Sequence, residues 1–424
     1  MLSLLCSLSL FANPSHGLSS LTTPYMDDGI VIWSAVQPPD GLTATLQKIA
    51  SGRRGTADVL AGRGGGGVIW LVADKADLAK ADRLLAGRTT TNMFAEDHSG
   101  FYSRRTGIIV VAADGFGPDR ITYDVVHELM HAHQHRSLGW DGMARSSRVK
   151  ALHEGSAVAL ARRALAENAT IYDGDLYFRA RATLDLFASD DAPNSDRLLD
   201  LAEANPYTLG GVICEYLLQN HPARLQAYFA AVRAGSPART AALEVFADLD
   251  VKALRRHIHA ELDALPWEMR VGPWSFNHDV AEVDGRVREA LYVPRNTTGA
   301  NVIEVRRDDA GGDDDGMVGV VTRLDQSGTW TAIAVLPDGS VANFRSTVTP
   351  YGGRWNVRRL DVPLPVAAVA LERPSEVVFR FEHYDDKRHV FANDKLVQIV
   401  RCKPDTPVGF FAAVGGRASY RILR

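Results

Sequence analysis

The pentapeptide His127-Glu128-Leu129-Met130-His131 constrains this chain more than any other segment. Residues four apart on an α-helix lie on one face about a turn apart, so both imidazoles can point at one metal ion. Glu128 follows the first histidine and projects beside the metal, placed to take a proton from a water that the metal activates. Zinc suits such a site, because it takes nitrogen ligands, has no redox chemistry and acidifies water towards neutrality. The pattern demands an uninterrupted helix, and Ile121 to His135 supplies one. Val125, Val126, Leu129 and Met130 take its apolar positions, Asp119 or Thr122 is placed to cap its start, and Gly139 lies just past its end. The bland alternative is a helix carrying two solvated histidines and a surface glutamate.

A catalytic zinc usually has three protein ligands and one open position. Glu154, within Leu152-His153-Glu154-Gly155-Ser156-Ala157, lies 23 positions after His131, which allows one connection and a return helix. Val149 to Ala166 is rich in alanine and leucine and reads as that helix. Glu154 near its start is either the third ligand or an ordinary first-turn acid favoured by the helix dipole. Asp141 is another carboxylate, but it follows the first helix too closely to fold back comfortably. His133, His135 and His153 read as polar surface or as hydrogen-bond partners of ligands, in preference to ligands.

His127-Glu128-x-x-His131 followed by Glu154-Gly155-x-Ala157 resembles the gluzincin zinc metallopeptidases, and within them the peptidase MA-like group of bacterial, often secreted, proteins. The resemblance implies a thermolysin-like domain of small mixed sheet plus helices. It also implies zinc on His127, His131 and Glu154, Glu128 as general base, and a peptide or protein substrate. The metzincin pattern wants glycine at 134 and histidine at 137, where this chain has Gln134 and Ser137. In the resembling family a tyrosine opens a helix comparable to that starting within Asn205 to Gly211. Tyr207 is therefore the candidate donor to the reaction's oxyanion, the alternative being a turn tyrosine packed on the helix N-terminus. Upstream, Ile30 to Val36, Val68 to Ala73 and Gly107 to Ala113 read as strands, with a helix around Lys75 to Leu85 and Gly100-Phe101-Tyr102 leading into the last strand. In the family the strand before the zinc helix is a sheet edge that pairs with substrate peptide. Gly64 to Gly67 lacks a following Lys-Ser/Thr and reads as a turn, not a phosphate loop.

Near Pro266 to Pro273 the texture changes from alanine-rich helix to short valine- and threonine-rich runs between turn residues. Candidate strands are Asn301 to Arg306, Met317 to Thr322, Trp330 to Leu336, Val341 to Val348, Glu376 to Glu382, His389 to Ala392, Leu396 to Arg401, Val408 to Val414 and Ala418 to Leu423, which argues a β-sandwich. The hairpin around Asn393-Asp394 and the Pro407-Val408-Gly409-Phe410-Phe411 run are similar to the end of concanavalin A-like, laminin-G-like jelly rolls. That likeness implies possible glycan binding. Trp274, Trp330, Tyr351 and Trp355 either stack on sugars or fill the sandwich core, with the core preferred. The acidic loop Asp308, Asp309 and Asp313 to Asp315 fits no EF-hand spacing and reads as solvated rather than as a calcium site.

The expected fold class is α+β, a zinc peptidase domain followed by an all-β jelly-roll sandwich. The expected boundaries are a signal peptide at 1–17, the peptidase domain at 18–270 and the sandwich at 271–424. The apolar stretch Leu2 to Ala12 supplies the signal reading, although it lacks a basic start. A secreted or periplasmic location follows, with no transmembrane anchor, since no run of eighteen apolar residues occurs. A net charge of −4 gives no sign of nucleic acid as partner. Of three cysteines, Cys6 fits a lipoprotein site badly, and Cys214 with Cys402 makes no disulfide framework. The leading expectation is a zinc-dependent peptidase; the rival is a non-catalytic carbohydrate- or surface-binding protein with a degenerate peptidase-like half.

Overall fold

A computed structural model of the chain describes residues 18, 21, 23–27, 30–50, 67–86, 99–113, 118–165, 173–185, 195–247, 249–264, 267–271, 274–277, 280–283, 289–294, 301–308, 316–324, 330–348, 355–360, 371–413 and 416–423. The expected signal peptide, Gly64 to Gly66, Asp309, Asp313 to Asp315 and Tyr351 lie outside these residues, as do the side chains of Asp119 and Trp355. Two compact units divide the chain, residues 1–169 with 194–249 and residues 170–193 with 250–424.

The first unit is built on β1 (Thr23–Asp27), β2 (Ile30–Ser34), α1 (Leu42–Ala50), β3 (Val68–Val72), α2 (Lys75–Ala86), β4 (Gly100–Tyr102), β5 (Ile108–Ala112), α3 (Pro118–Ser146) and α4 (Lys150–Leu165). Its sheet runs β1-β2-β3-β5-β4, with β2, β3 and β5 parallel and the two outer strands antiparallel. Every residue of β3 and β5 is buried, as central strands covered on both faces require. This corrects one expectation. The strand before the histidine helix is interior, and the edge on that side is the half-buried β4. The β-branched run Ile108 to Val111 needs neighbours on both sides, whereas Gly100-Phe101-Tyr102 tolerates one open edge. The turn between them closes at Gly107, whose φ of 73° favours glycine. Its N–H donates to the Ser103 carbonyl, and the Ser103 N–H donates to that of Ile108.

Helix α3 starts at Pro118, a favoured first-turn residue, so Thr122 lies inside the helix and does not cap it. At Gly139 the backbone leaves helical geometry (φ 69°, ψ 177°) before helix resumes to Ser146, so the glycine stop read from the sequence is present. From Val125 to Gln134 nearly every side chain is buried, which makes α3 a central helix. α4 packs against it, and Glu203 accepts hydrogen bonds from the Lys150 and Ala151 N–H groups at 3.1 and 3.0 Å, satisfying donors that a helix start leaves open. Helices Ser195–Ala204, Gly211–Asn220, Pro222–Arg233 and Ala238–Phe246 complete the unit, with a π-helical turn at Pro206–Gly210.

The second unit is a sandwich of two seven-stranded antiparallel sheets. One runs Lys395–Arg401, Lys387–Ala392, Glu376–Tyr384, Val302–Arg307, Ala418–Leu423, Val280–Val283, Trp274–Asn277; the other runs Trp355–Leu360, Val341–Val348, Trp330–Val335, Met317–Leu324, Gly409–Ala413, Glu289–Pro294, Trp267–Val271. Ile303, Phe379 and Val390 of the first meet Val320, Ile333 and Phe410 of the second in one core. Trp274 and Trp330 are buried, so both act as packing residues. The Asn393-Asp394 turn has φ of 46° and 64°, the paired left-handed geometry that suits a two-residue hairpin. Helices Asp173–Asp185 and Val251–Ala264 belong to this unit. They touch through the Tyr177 and His257 rings, with centroids 6.1 Å apart, and Arg255 donates to the Leu184 carbonyl at 3.3 Å. These two helices pack with the sandwich, so the second compact unit takes in residues 170–193 and 250 onward.

Candidate metal centre

His127 and His131 reach from α3, and Glu154 from α4, to one point. The Nε2 atoms of the histidines are 3.2 Å apart, and Oε2 of Glu154 lies 3.0 Å from His131 Nε2 and 3.5 Å from His127 Nε2. Ligand atoms about 2.0–2.1 Å from one tetrahedral zinc stand about 3.3 Å from each other. The triangle is therefore the size that one such ion fills.

The hydrogen bonding behind the cluster also fits a metal. Gln134 Nε2 donates to the His153 carbonyl and to Ser156 Oγ, both at 2.9 Å, which fixes its amide orientation. Its Oε1 then faces His131 Nδ1 at 2.8 Å and accepts from it. A proton on Nδ1 leaves the Nε2 lone pair of His131 directed into the cluster, as a ligand must present it. Gln134 is the residue of this cluster that sequence reading missed; only its position one turn after His131 hinted at it.

Charge is arranged to match. Burial opposes ionisation of Glu154, yet the neighbouring imidazoles, His131 foremost, hold its carboxyl well below the usual range. Burial likewise opposes protonation of His131, but Glu154 outweighs it and raises the pKa to about 9. Burial pushes Glu128 up, with His131 and His127 offsetting part of the rise. His153 stacks on His131 with ring centroids 4.7 Å apart and sits 3.3 Å from Ser146 Oγ, and burial lowers its pKa to about 3. It is a neutral packing partner. His135 Nδ1 lies 2.9 Å from the Tyr102 hydroxyl, and buried His133 is outside the cluster.

Tyr207 is brought in by backbone packing. A Cβ on Gly155 would lie 2.5 Å from the Gly210 carbonyl oxygen, and one on Gly210 would lie 2.8 Å from that of Ala151. Only paired glycines let α4 and the Pro206–Gly210 turn approach so closely. The Tyr207 ring thereby sits 6.0 Å from that of His127, and its hydroxyl hydrogen-bonds Glu154. Burial, then the charges of Glu154 and Glu128, raise its pKa, so the hydroxyl stays a donor. Glu128, His131, Glu154 and Tyr207 line a cavity of about 550 Å³ that also reaches β4.

No protein-family model matches the chain, and no curated protein matches it. Solved structures similar to part of it include a carbohydrate-binding module from Bacillus subtilis (13% identity, 37% of this chain and 92% of that one, TM-score 0.25). The galectin LEC-6 of Caenorhabditis elegans is similar at 12% identity over 32% of this chain and 96% of that one, TM-score 0.20. A β-glucanase of Bacillus licheniformis is similar at 14% identity over 32% of this chain and 68% of that one, TM-score 0.20. The sandwich assignment rests on the strand pairing described above. Among the described residues no helix is long and apolar enough to cross a membrane.

Proposed function

We propose that the chain is an exported, zinc-dependent peptidase of gluzincin type. The observation that carries this reading is the convergence of three ligand atoms within 3.0 to 3.5 Å, with Glu128 in the same cavity. A zinc ion held by His127, His131 and Glu154 would supply Lewis acidity towards the scissile carbonyl and towards water. Glu128 takes the proton from the attacking water as the C–O bond forms. It returns that proton to the departing amine nitrogen as the C–N bond breaks. Its raised pKa makes the carboxylate a stronger base for taking the proton from water. Tyr207 donates to the developing oxyanion. An extended substrate adds to the open edge of β4, where main-chain hydrogen bonds hold it without side-chain demands.

The test is Glu128→Gln, assayed on a peptide library beside its metal content. About one zinc per chain is expected in both proteins, with hydrolysis lost by about 100-fold or more in the variant. Full activity in the variant, or no zinc in the parent after reconstitution, overturns the reading.

A second reading, glycan attachment through the sandwich, is supported by a polar and aromatic strip on one sheet's outer face. Arg380 lies 4.2 Å over the Phe391 ring, and the Tyr384 and His389 rings are 4.8 Å apart. Glycan binding by the full chain with no peptide turnover would favour this reading over the first.

A further inference from the structure

The turn that ends β4 carries two arginines, Arg104 and Arg105, and both line the metal cavity. Both are exposed, and among the described residues neither takes part in an ion pair or side-chain hydrogen bond. Several other arginines of this unit are engaged. Arg145 donates to the Val232 carbonyl at 2.9 Å, and Arg120 pairs with Asp124 at 2.8 Å. The carboxylates of the cavity do not neutralise the turn. Glu154 is held by the two histidines, Glu128 sits beside them, and Asp82 on α2 makes no ion pair with either arginine. A strand laid along the edge of β4 and continued past Ser103 comes to the turn that carries these arginines, which line the same cavity as the metal cluster.

The geometry points to a substrate that carries a carboxylate beside the scissile bond, recognised by Arg104 and Arg105. This rests on the peptidase reading and names its substrate class. The guanidinium fork matches carboxylate geometry and stays charged at every working pH. Two sources offer the same chemistry, an Asp or Glu side chain and a peptide C-terminus. Exposure of the turn keeps the preference moderate and sensitive to salt.

The experiment measures binding, so that it is separable from turnover. Zinc-loaded Glu128→Gln protein is titrated with peptides carrying a neutral dye and differing only in Glu, Gln or Lys at each position, each with a free or an amidated C-terminus. A Glu peptide is expected to bind about five- to tenfold tighter than its Gln partner at one or two positions. That ratio should fall towards one when Arg104→Ala and Arg105→Ala are added. It should turn in favour of Lys when both are changed to Glu. An effect confined to the free C-terminus assigns the carboxylate to the chain end. A ratio near one in the parent, a ratio unmoved by the double variant, or no peptide binding overturns the inference. Acid-selective binding without any cleavage by the unmutated protein overturns the peptidase reading and leaves only the carboxylate recognition by Arg104 and Arg105 standing; cleavage without acid selectivity overturns the recognition and leaves the peptidase reading.

Discussion

Replacing Gly155 by alanine tests whether the glycine contact places the tyrosine. The new Cβ would meet the Gly210 carbonyl oxygen at 2.5 Å and the Gly210 carbon at 2.6 Å, where ordinary contact starts at 3.4 Å. Both obstructing atoms are backbone, so no rotamer change relieves the overlap, and the turn or α4 must retreat by about 1 Å. Such overpacking costs about 1–3 kcal/mol. Alanine inside a helix returns about 1 kcal/mol through propensity. Since backbone must move, the upper part of the first range applies, and the net loss is about 1–2 kcal/mol, or roughly 3–6 °C in melting temperature. The Pro206–Gly210 turn is the shorter element, so it yields and carries Tyr207 away. A displacement near 1 Å at a reacting centre costs about 100-fold in kcat. Zinc content should hold, because His127, His131 and Glu154 sit on α3 and α4. Calorimetry, metal analysis and peptide kinetics on the one variant separate these outcomes. A melting temperature that rises, together with unchanged kcat, would refute the idea that this contact positions the tyrosine.

Gln134→Ala should weaken zinc binding by about 10–100-fold, measured against a chelating dye, because the His131 ring loses its acceptor; affinity within twofold of the parent contradicts the role assigned to the amide. In metal-free protein the folded pKa of His131 is about 9, above its ordinary 6.5. Its contribution to stability is therefore complete below 6.5 and lost as pH rises through 9, so apo melts between these values should fall, while zinc-loaded protein should not follow that fall. In the sandwich, Asp394→Gly should add about 1 kcal/mol by relieving left-handed geometry. Asn393→Ala should subtract about 1–2 kcal/mol, because the Asn393 amide oxygen accepts from the Val378 N–H at 2.8 Å. Calorimetric transitions that shift in the same direction for both would be inconsistent with that account.

Much of the site was legible because its spacing is helical. Two histidines four apart must share a face, and Gly139 marks the end of their helix, whatever surrounds them. Glu154 required a guess about a return helix, and that helix runs Lys150–Leu165, close to the stretch read from composition. The edge strand was misplaced because burial on both sides of β5 depends on β3 and β4, which its own residues do not reveal. Gln134 was unreadable as a partner of His131, since the groups that fix its amide, His153 and Ser156, lie on another helix. In the sandwich, alternating runs such as Val302–Arg307 were visible. The short strands Trp274–Asn277 and Val280–Val283 were not, because four residues between turn signals hold too little alternation. Nothing in the amphipathic spacing of Val251, Leu254, Ile258 and Leu262 says which core that helix covers.

The path of the chain through its two units bears on how either can be studied or made. Helix Asp173–Asp185 leaves the first unit early and lies against strands Trp267–Val271 and Val341–Val348 of the sandwich. Its Tyr177, Ala180 and Leu184 are buried there. During synthesis these side chains wait in water until residue 250 and beyond have emerged, so this helix is open to wrong pairing and to proteolysis in that interval. A fragment beginning at 271 would also leave the edge of Glu289–Pro294 without its partner strand, an open template for aggregation. Binding by the sandwich is therefore a property to measure on the intact chain.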